Sequence, residues 1–167
     1  VINPAFIAVL RQMVTSLQDS GVNWAVTGSL AQALQGVAIE PQDIDLQTDR
    51  EGAYEIERRF SVQVSRKVRF STSERIRSHF GALSIDGIQV EIMGAVQKRL
   101  ADGTWEAAVD PGSYRRVVSF TGLLVPVLAL EYEAQAYQML GKLERVGILR
   151  RAMQEERGTG LQGQPPH

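Results

Sequence analysis

The sequence predicts an α+β fold in which a β-sheet is flanked by helices, and three observations carry that expectation. A β-α-β-α alternation runs from Asn23 to Phe60, alternating apolar segments follow as far as Val96, and helical periodicity returns after Val127. With 167 residues and 44% hydrophobic composition the chain can bury one sizeable core, which points to one domain.

The first element is a helix. Asn3-Pro4 supplies a cap and a first-turn proline, Phe6, Ile7, Val9, Leu10, Met13, Val14 and Leu17 recur with helical spacing, and Gly21 ends the segment. NWAVT, from Asn23 to Thr27, is short and rich in β-formers, so it reads as a buried strand. Ser29 to Gln35 has helical character and stops at Gly36. After the Pro41 break, DIDLQT is a second strand, with Ile44 and Leu46 on one face and Asp43 and Asp45 on the other. Thr48-Asp49-Arg50-Glu51 matches a capping box for a helix running to about Phe60.

Three strand segments come next: SVQVSRKVRF, IRSHFGALSI and IQVEIMGAV, the last two joined by a hairpin turn at Asp86-Gly87. QKRLADGTWEAAV repeats the hairpin pattern around Asp102-Gly103, and RRVVSF adds a short piece. From Val127 to about Glu155 the pattern is helical, with Gly141 as a break between two helices. GTGLQGQPPH is rich in Gly, Gln and Pro and reads as a mobile tail. The expected division is a core over 1–125, a helical segment packed on it over 126–156, and a tail over 157–167.

Composition removes several function classes. The net charge of −1 and pI near 6.2 do not suggest a counterion-release nucleic-acid binder, although local basic patches remain compatible with these values. The absence of cysteine excludes disulfides, thiolate metal sites and cysteine nucleophiles, and two histidines, one of them His167, make a histidine-based site a poor expectation. No apolar run approaches the roughly 18 residues of a membrane span, and the opening lacks a signal-peptide pattern, so no membrane partner and a cytoplasmic location are expected.

Two short signals bear on chemistry. Asp43 and Asp45 at i and i+2 on a strand project from the same face about 7 Å apart, close enough to ligate one divalent cation or a metal pair. Gly28-Ser29 joins a strand directly to a helix, a place where backbone N–H groups and the helix end favour an anion. Taken singly each has an ordinary reading, a polar loop and a helix cap. Together they would put a phosphate cradle beside a metal cluster.

The pattern resembles the nucleotidyltransferase superfamily related to DNA polymerase β. Val26-Thr27-Gly28-Ser29, a gap of thirteen residues and Asp43-Ile44-Asp45-Leu46 are similar to its signature, and Val90-Glu91-Ile92 supplies the third acid flanked by apolar residues. The likeness runs from about Asn23 to Gly94, with Glu in place of the commoner Asp as third acid and a long gap before Asp43. It implies a mixed sheet and transfer of a nucleoside monophosphate from an NTP, with ATP expected, to a hydroxyl on a small molecule or protein. It also implies that Asp43, Asp45 and Glu91 hold two Mg²⁺ ions, that Gly28 and Ser29 grip the phosphates, and that Glu91 lies nearest the attacking oxygen.

YQMLGK resembles the helical segment after the sheet in small antibiotic-type members, which implies nucleotide contact by Lys142. Arg66, Lys67, Arg69, Arg75, Arg77 and His79 form a basic region, most of which reads as a solvated strand face. His79, Trp24 and Trp105 read as structural. Chain size points to the small stand-alone branches: antibiotic-modifying, AbiEii-like and toxin–antitoxin types. The other reading from the residues is a catalytically silent binding or regulatory module, which would leave clustered carboxylates without compensation. A phosphatase of the D-x-D type is set aside because Gln47 stands where it needs threonine. The sequence leaves a homodimer open.

Overall fold

The computed structural model describes residues 2–162. Its elements are α1 (Pro4–Leu17), β1 (Trp24–Thr27), α2 (Gly28–Leu34), β2 (Ile44–Thr48), α3 (Arg50–Arg59), β3 (Val64–Thr72), β4 (Ile76–Ile85), β5 (Ile88–Lys98), β6 (Arg115–Phe120), β7 (Leu123–Leu128), α4 (Leu130–Met139) and α5 (Leu143–Gln162). The strands form one mixed sheet in the order β3-β4-β5-β2-β1-β7-β6. The expected α+β fold is therefore present.

Alternation in the central strands sorts their side chains onto two faces. Val26, Ile44, Leu46, Val90 and Ile92 are buried in the main core with Val9, Leu10, Met13 and Leu17 of α1 and Ala53 and Ile56 of α3. Ala25, Val96, Leu128 and Tyr132 form a second cluster on the opposite face, with Met93 and Ile76 packed against it. Val37, Leu130, Ala134 and Leu149 make a third, where α4 meets α5. Burying one whole face of β2 and β5 fixes their register, since a slip of one residue would turn the core residues outward.

The capping signals hold, with one shift of position. Asn3 Oδ1 accepts from the Ala5 amide at the start of α1, while Asp49, not Thr48, caps α3 by accepting from the Gly52 amide at 2.7 Å. Thr48 is buried, and its hydroxyl donates to the Asn23 carbonyl instead.

Two local readings are corrected. Helix was expected from Val127, but LLVPVL is strand β7, which runs parallel to β1 with Val127 opposite Val26 and pairs antiparallel with β6. The boundary at 126 therefore falls inside a strand of the sheet. Around Asp102-Gly103 the chain does turn back on itself: the Leu100 amide donates to the Thr104 carbonyl and the Glu106 amide to the Lys98 carbonyl, with an antiparallel bridge from Arg99 to Trp105 between them. Finally, α5 continues to Gln162 through part of the segment read as a tail, and residues 163–167 of that tail lie outside the described residues. Gly141 does separate the last two helices, at φ +75°.

Candidate active site

β2 and β5 are parallel neighbours with Asp45 directly opposite Glu91, and β1 lies antiparallel on the other side with Thr27 opposite Asp45. One row across the sheet thus reads Thr27, Asp45, Glu91. Ile44 and Leu46 anchor the other face of β2, so Asp45 must point away from the main core. Asp43 stands one residue before the strand. Asp43, Asp45 and Glu91 each offer a carboxylate oxygen, and these oxygens all lie within 4.8 Å of one another.

Such crowding is electrostatically unfavourable. Burial, reinforced by Glu91, then Asp43 and Glu133, pushes Asp45 from its ordinary 3.8 up to about 7. Its Oδ1 is buried without a hydrogen-bond partner. Glu91 accepts a hydrogen bond from Gln89 Nε2 at 3.0 Å.

The Gly-Ser turn is pressed against these acids. Gly28 has φ +70°, and a Cβ there would lie 2.5 Å from Asp45 Oδ2, so glycine is required by conformation and by space. Ser29 Oγ accepts from the Gln42 amide at 3.2 Å, which ties the start of α2 to the residue before Asp43. The two ends of the sequence motif are thus in physical contact.

One feature differs from the expected phosphate cradle. The Gly28 amide is not free: it donates to Glu133 Oε1 at 3.0 Å, and Thr27 Oγ1 donates to the same oxygen at 2.6 Å. Glu133 is only 3% exposed. Burial raises it to about 7, against the opposing pull of the Thr27 hydroxyl, the Gly28 amide and Lys98. Sequence reasoning missed this residue. Its signal lay in helix spacing, because Glu133 shares the face of α4 that carries Leu130, Ala134 and Tyr137, and a carboxylate on a core stripe needs a partner.

A cavity of about 210 Å³ opens between the acids and α4, lined among others by Gly28, Asp45, Glu91, Tyr132, Glu133 and Lys142. Lys98, also in its wall, is 2% exposed and reaches Glu106 at 2.8 Å and the Tyr132 hydroxyl at 3.3 Å. Burial works against charge on Lys98, but Tyr132 and Glu106 more than offset it and leave its pKa above the ordinary value. Lys142 is exposed, with Nζ 5.7 Å from the centre of the Tyr137 ring.

The remaining basic residues divide between locations. Arg75 donates to the Leu140 carbonyl, Arg77 lies over the Trp105 ring at 4.5 Å, and His79 Nδ1 pairs with the Tyr54 hydroxyl at 3.0 Å. Burial and then Arg50 lower the His79 pKa, in keeping with a structural role. Trp24 is buried in the core. Arg66 and Arg69 belong to the outer strand β3.

Removal of Glu133 provides a direct check on the tie between α4 and the turn. Glu133→Ala is expected to orphan two buried donors, at about 1–3 kcal/mol each, as read by urea unfolding. Glu133→Gln keeps an acceptor oxygen and should retain most of that stability. Equal loss in both variants would show that the charge, not the hydrogen bonding, matters.

A mixed sheet that sets a Gly-Ser turn against an Asp-Ile-Asp strand, with a third acid on the next strand, defines a nucleotidyltransferase. Within that class the chain belongs to the aminoglycoside-2''-adenylyltransferase family, whose sequence model matches residues 9–153. A proposed nucleotidyltransferase from Thermotoga maritima is 57% identical, with 93% of this chain and 96% of that one covered and a TM-score of 0.82.

Two more distant structures share the fold. One is ANT(2'')-Ia in complex with adenylyl-2''-tobramycin, at 15% identity, 92% coverage of each chain and a TM-score of 0.62. The other is the lincosamide antibiotic adenylyltransferase LnuA with lincomycin bound, at 10% identity, 89% and 97% coverage and a TM-score of 0.53. The search of curated proteins finds no match. Among the described residues no helix is long and apolar enough to cross a membrane.

Proposed function

We propose that this protein transfers a nucleoside monophosphate from an NTP, with ATP the first candidate, to a hydroxyl group of a small molecule or protein. The observation that carries this reading is the convergence of Asp43, Asp45 and Glu91 beside the Gly28-Ser29 turn. Three carboxylates form an all-oxygen donor set suited to a hard divalent cation, and the unpartnered Asp45 Oδ1 is a ligand atom with nothing else to bind. Asp43, Asp45 and Glu91 would hold a pair of Mg²⁺ ions, which when bound neutralise the phosphates and the charge that develops on the transferring group.

The chain's own groups then have distinct parts. The acceptor oxygen forms its bond to the α-phosphorus, the bond to the β-phosphate oxygen breaks, and pyrophosphate leaves. Glu91, on the strand beyond β2 as seen from the turn, is assigned to orient the acceptor hydroxyl and take its proton. Gly28, lacking a side chain, leaves the space in which Asp45 and phosphate oxygens can meet. Its amide serves Glu133, so the Ser29 hydroxyl, whose proton is not used by the Gln42 contact, is the turn's side-chain donor to phosphate. Lys142 contributes positive charge at the cavity mouth.

Incubation with α-labelled ATP, Mg²⁺ and pooled hydroxyl compounds should move label to an acceptor and release pyrophosphate. If calorimetry finds no Mg²⁺-dependent NTP binding, the transferase reading fails and a catalytically silent binding module takes its place.

A further inference from the structure

Resting on that reading, we propose that the acceptor is a small hydroxyl compound carrying a phosphate group, held by Arg66 and Arg69 on the acid-bearing sheet face beyond Glu91. Strand order supplies the first step. From β1 outward, the row on the acid face runs Thr27, Asp45, Glu91, Ala82 and Arg66. The neighbouring row continues through Met93 and Phe80 to Arg69.

Strand β3 keeps these arginines off the main core. Val68 is buried there, and a Cβ on Gly81 would strike it, so Val68 and Gly81 share the core face while Phe80 and Ala82 look the other way. The Arg66 guanidinium lies over the Phe80 ring at 5.0 Å, which confirms its side.

Neighbouring strands are about 4.8 Å apart, which puts the Arg66 backbone roughly 10 Å from Glu91 and roughly 19 Å from Thr27. The arginines therefore lie across the acids from the turn assigned to the NTP phosphates. That placement, on the far side of the acids from the phosphate turn, assigns them to the second substrate. Their backbone distance from Glu91, shortened by the reach of an arginine side chain, fits a molecule whose reactive hydroxyl and phosphate sit a sugar's width apart.

Charge narrows the class. Arg66 and Arg69 are both exposed, and among the described residues the ion pairs found involve neither of them. A guanidinium pair with no carboxylate partner is suited to bidentate binding of phosphate. A polyamine acceptor would meet like charge on this face. A nucleic-acid strand would need a longer cationic track, and of the nearby arginines Arg75 is engaged with the Leu140 carbonyl and Arg77 with the Trp105 ring.

The test has a binding arm and a transfer arm. Titrating the full chain with inorganic phosphate, followed by the arginine Nε–Hε resonances, should give saturable shifts at Arg66 and Arg69. These shifts should vanish in the Arg66→Ala/Arg69→Ala double variant, whose Mg²⁺-dependent ATP binding should stay unchanged. In matched transfer assays, ribose 5-phosphate against ribose and nucleoside monophosphates against nucleosides, label should favour the phosphorylated member. The double variant should lower kcat/KM for that member by about tenfold or more.

Absence of a saturable shift at either arginine overturns the proposal, as does preference for the unphosphorylated partner or for tobramycin. Tighter, steeply salt-dependent binding of a single-stranded RNA oligonucleotide at the same arginines overturns the small acceptor in favour of nucleic acid. Failure of the transferase reading is separately visible, as loss of Mg²⁺-dependent ATP binding in the unmodified protein.

Discussion

Asp45→Asn is expected to abolish nucleotidyl transfer while making the metal-free protein more stable. The two effects have one origin. Asp45 is enclosed beside Glu91, Asp43 and Glu133, and its Oδ1 has no hydrogen-bond partner. A cation would turn that repulsion into ligation, so replacing one acid with an amide removes several kcal/mol of charge stabilisation, about 10³-fold in rate.

Without metal the amide relieves the repulsion. Because the folded-state pKa of Asp45 is raised from 3.8 to about 7, the native state retains a proton that the unfolded chain has lost between those values. Stability of the original protein from this group therefore falls as pH rises from about 4 to about 7, and the deficit is fully present at pH 8. Thermal melts in a chelator should show Asp45→Asn melting higher at pH 8, by roughly 2–4 °C for each kcal/mol relieved, with the gap closing near pH 4. Added Mg²⁺ should raise the melting temperature of the original protein more than that of the variant. Equal transfer by both proteins would end the metal-site assignment.

Gly28→Ala should be the second severe change, although it adds a single methyl group. The residue sits at φ +70°, where a side chain costs about 1–2 kcal/mol. The new Cβ would meet Asp45 Oδ2 at 2.5 Å, so the carboxylate or the turn has to move. A displacement of about 1 Å in such a constellation costs about 10²-fold in kcat. Gly36→Ala makes a useful control, since Gly36 has φ +90° but nothing within 4 Å of its Cβ position. It should show a comparable stability loss with activity intact. If both variants lose activity alike, backbone strain rather than crowding of Asp45 is responsible.

Much of this architecture is written in local pattern. Alternation of Ile44, Asp45 and Leu46, and of Val90, Glu91 and Ile92, is enough to sort acids from core, because a strand must send neighbours to opposite faces. The α1 and α3 caps and the Gly141 break follow from the chemistry of unsatisfied helix ends and positive φ. Strand β7 was not legible in the same way. LLVPVL carries a proline and a continuous apolar run with no alternation, and only its place between β1 and β6 makes it a strand.

The site divides along the same line. By itself the sequence determined the order of strands and helices as far as β6, the Gly-Ser turn and the three acids, since each is a matter of residue type and short-range spacing. The tertiary structure alone decided that Asp45 lies opposite Glu91, that Gly28 has no room for a side chain, and that the Gly28 amide belongs to Glu133, 105 residues away. It also decided which face Arg66 and Arg69 present, through the bulged register of β3 on β4. The physical reason is that hydrogen bonds and charge repulsion act over a few ångströms in space, and sheet pairing sets which distant residues come that close.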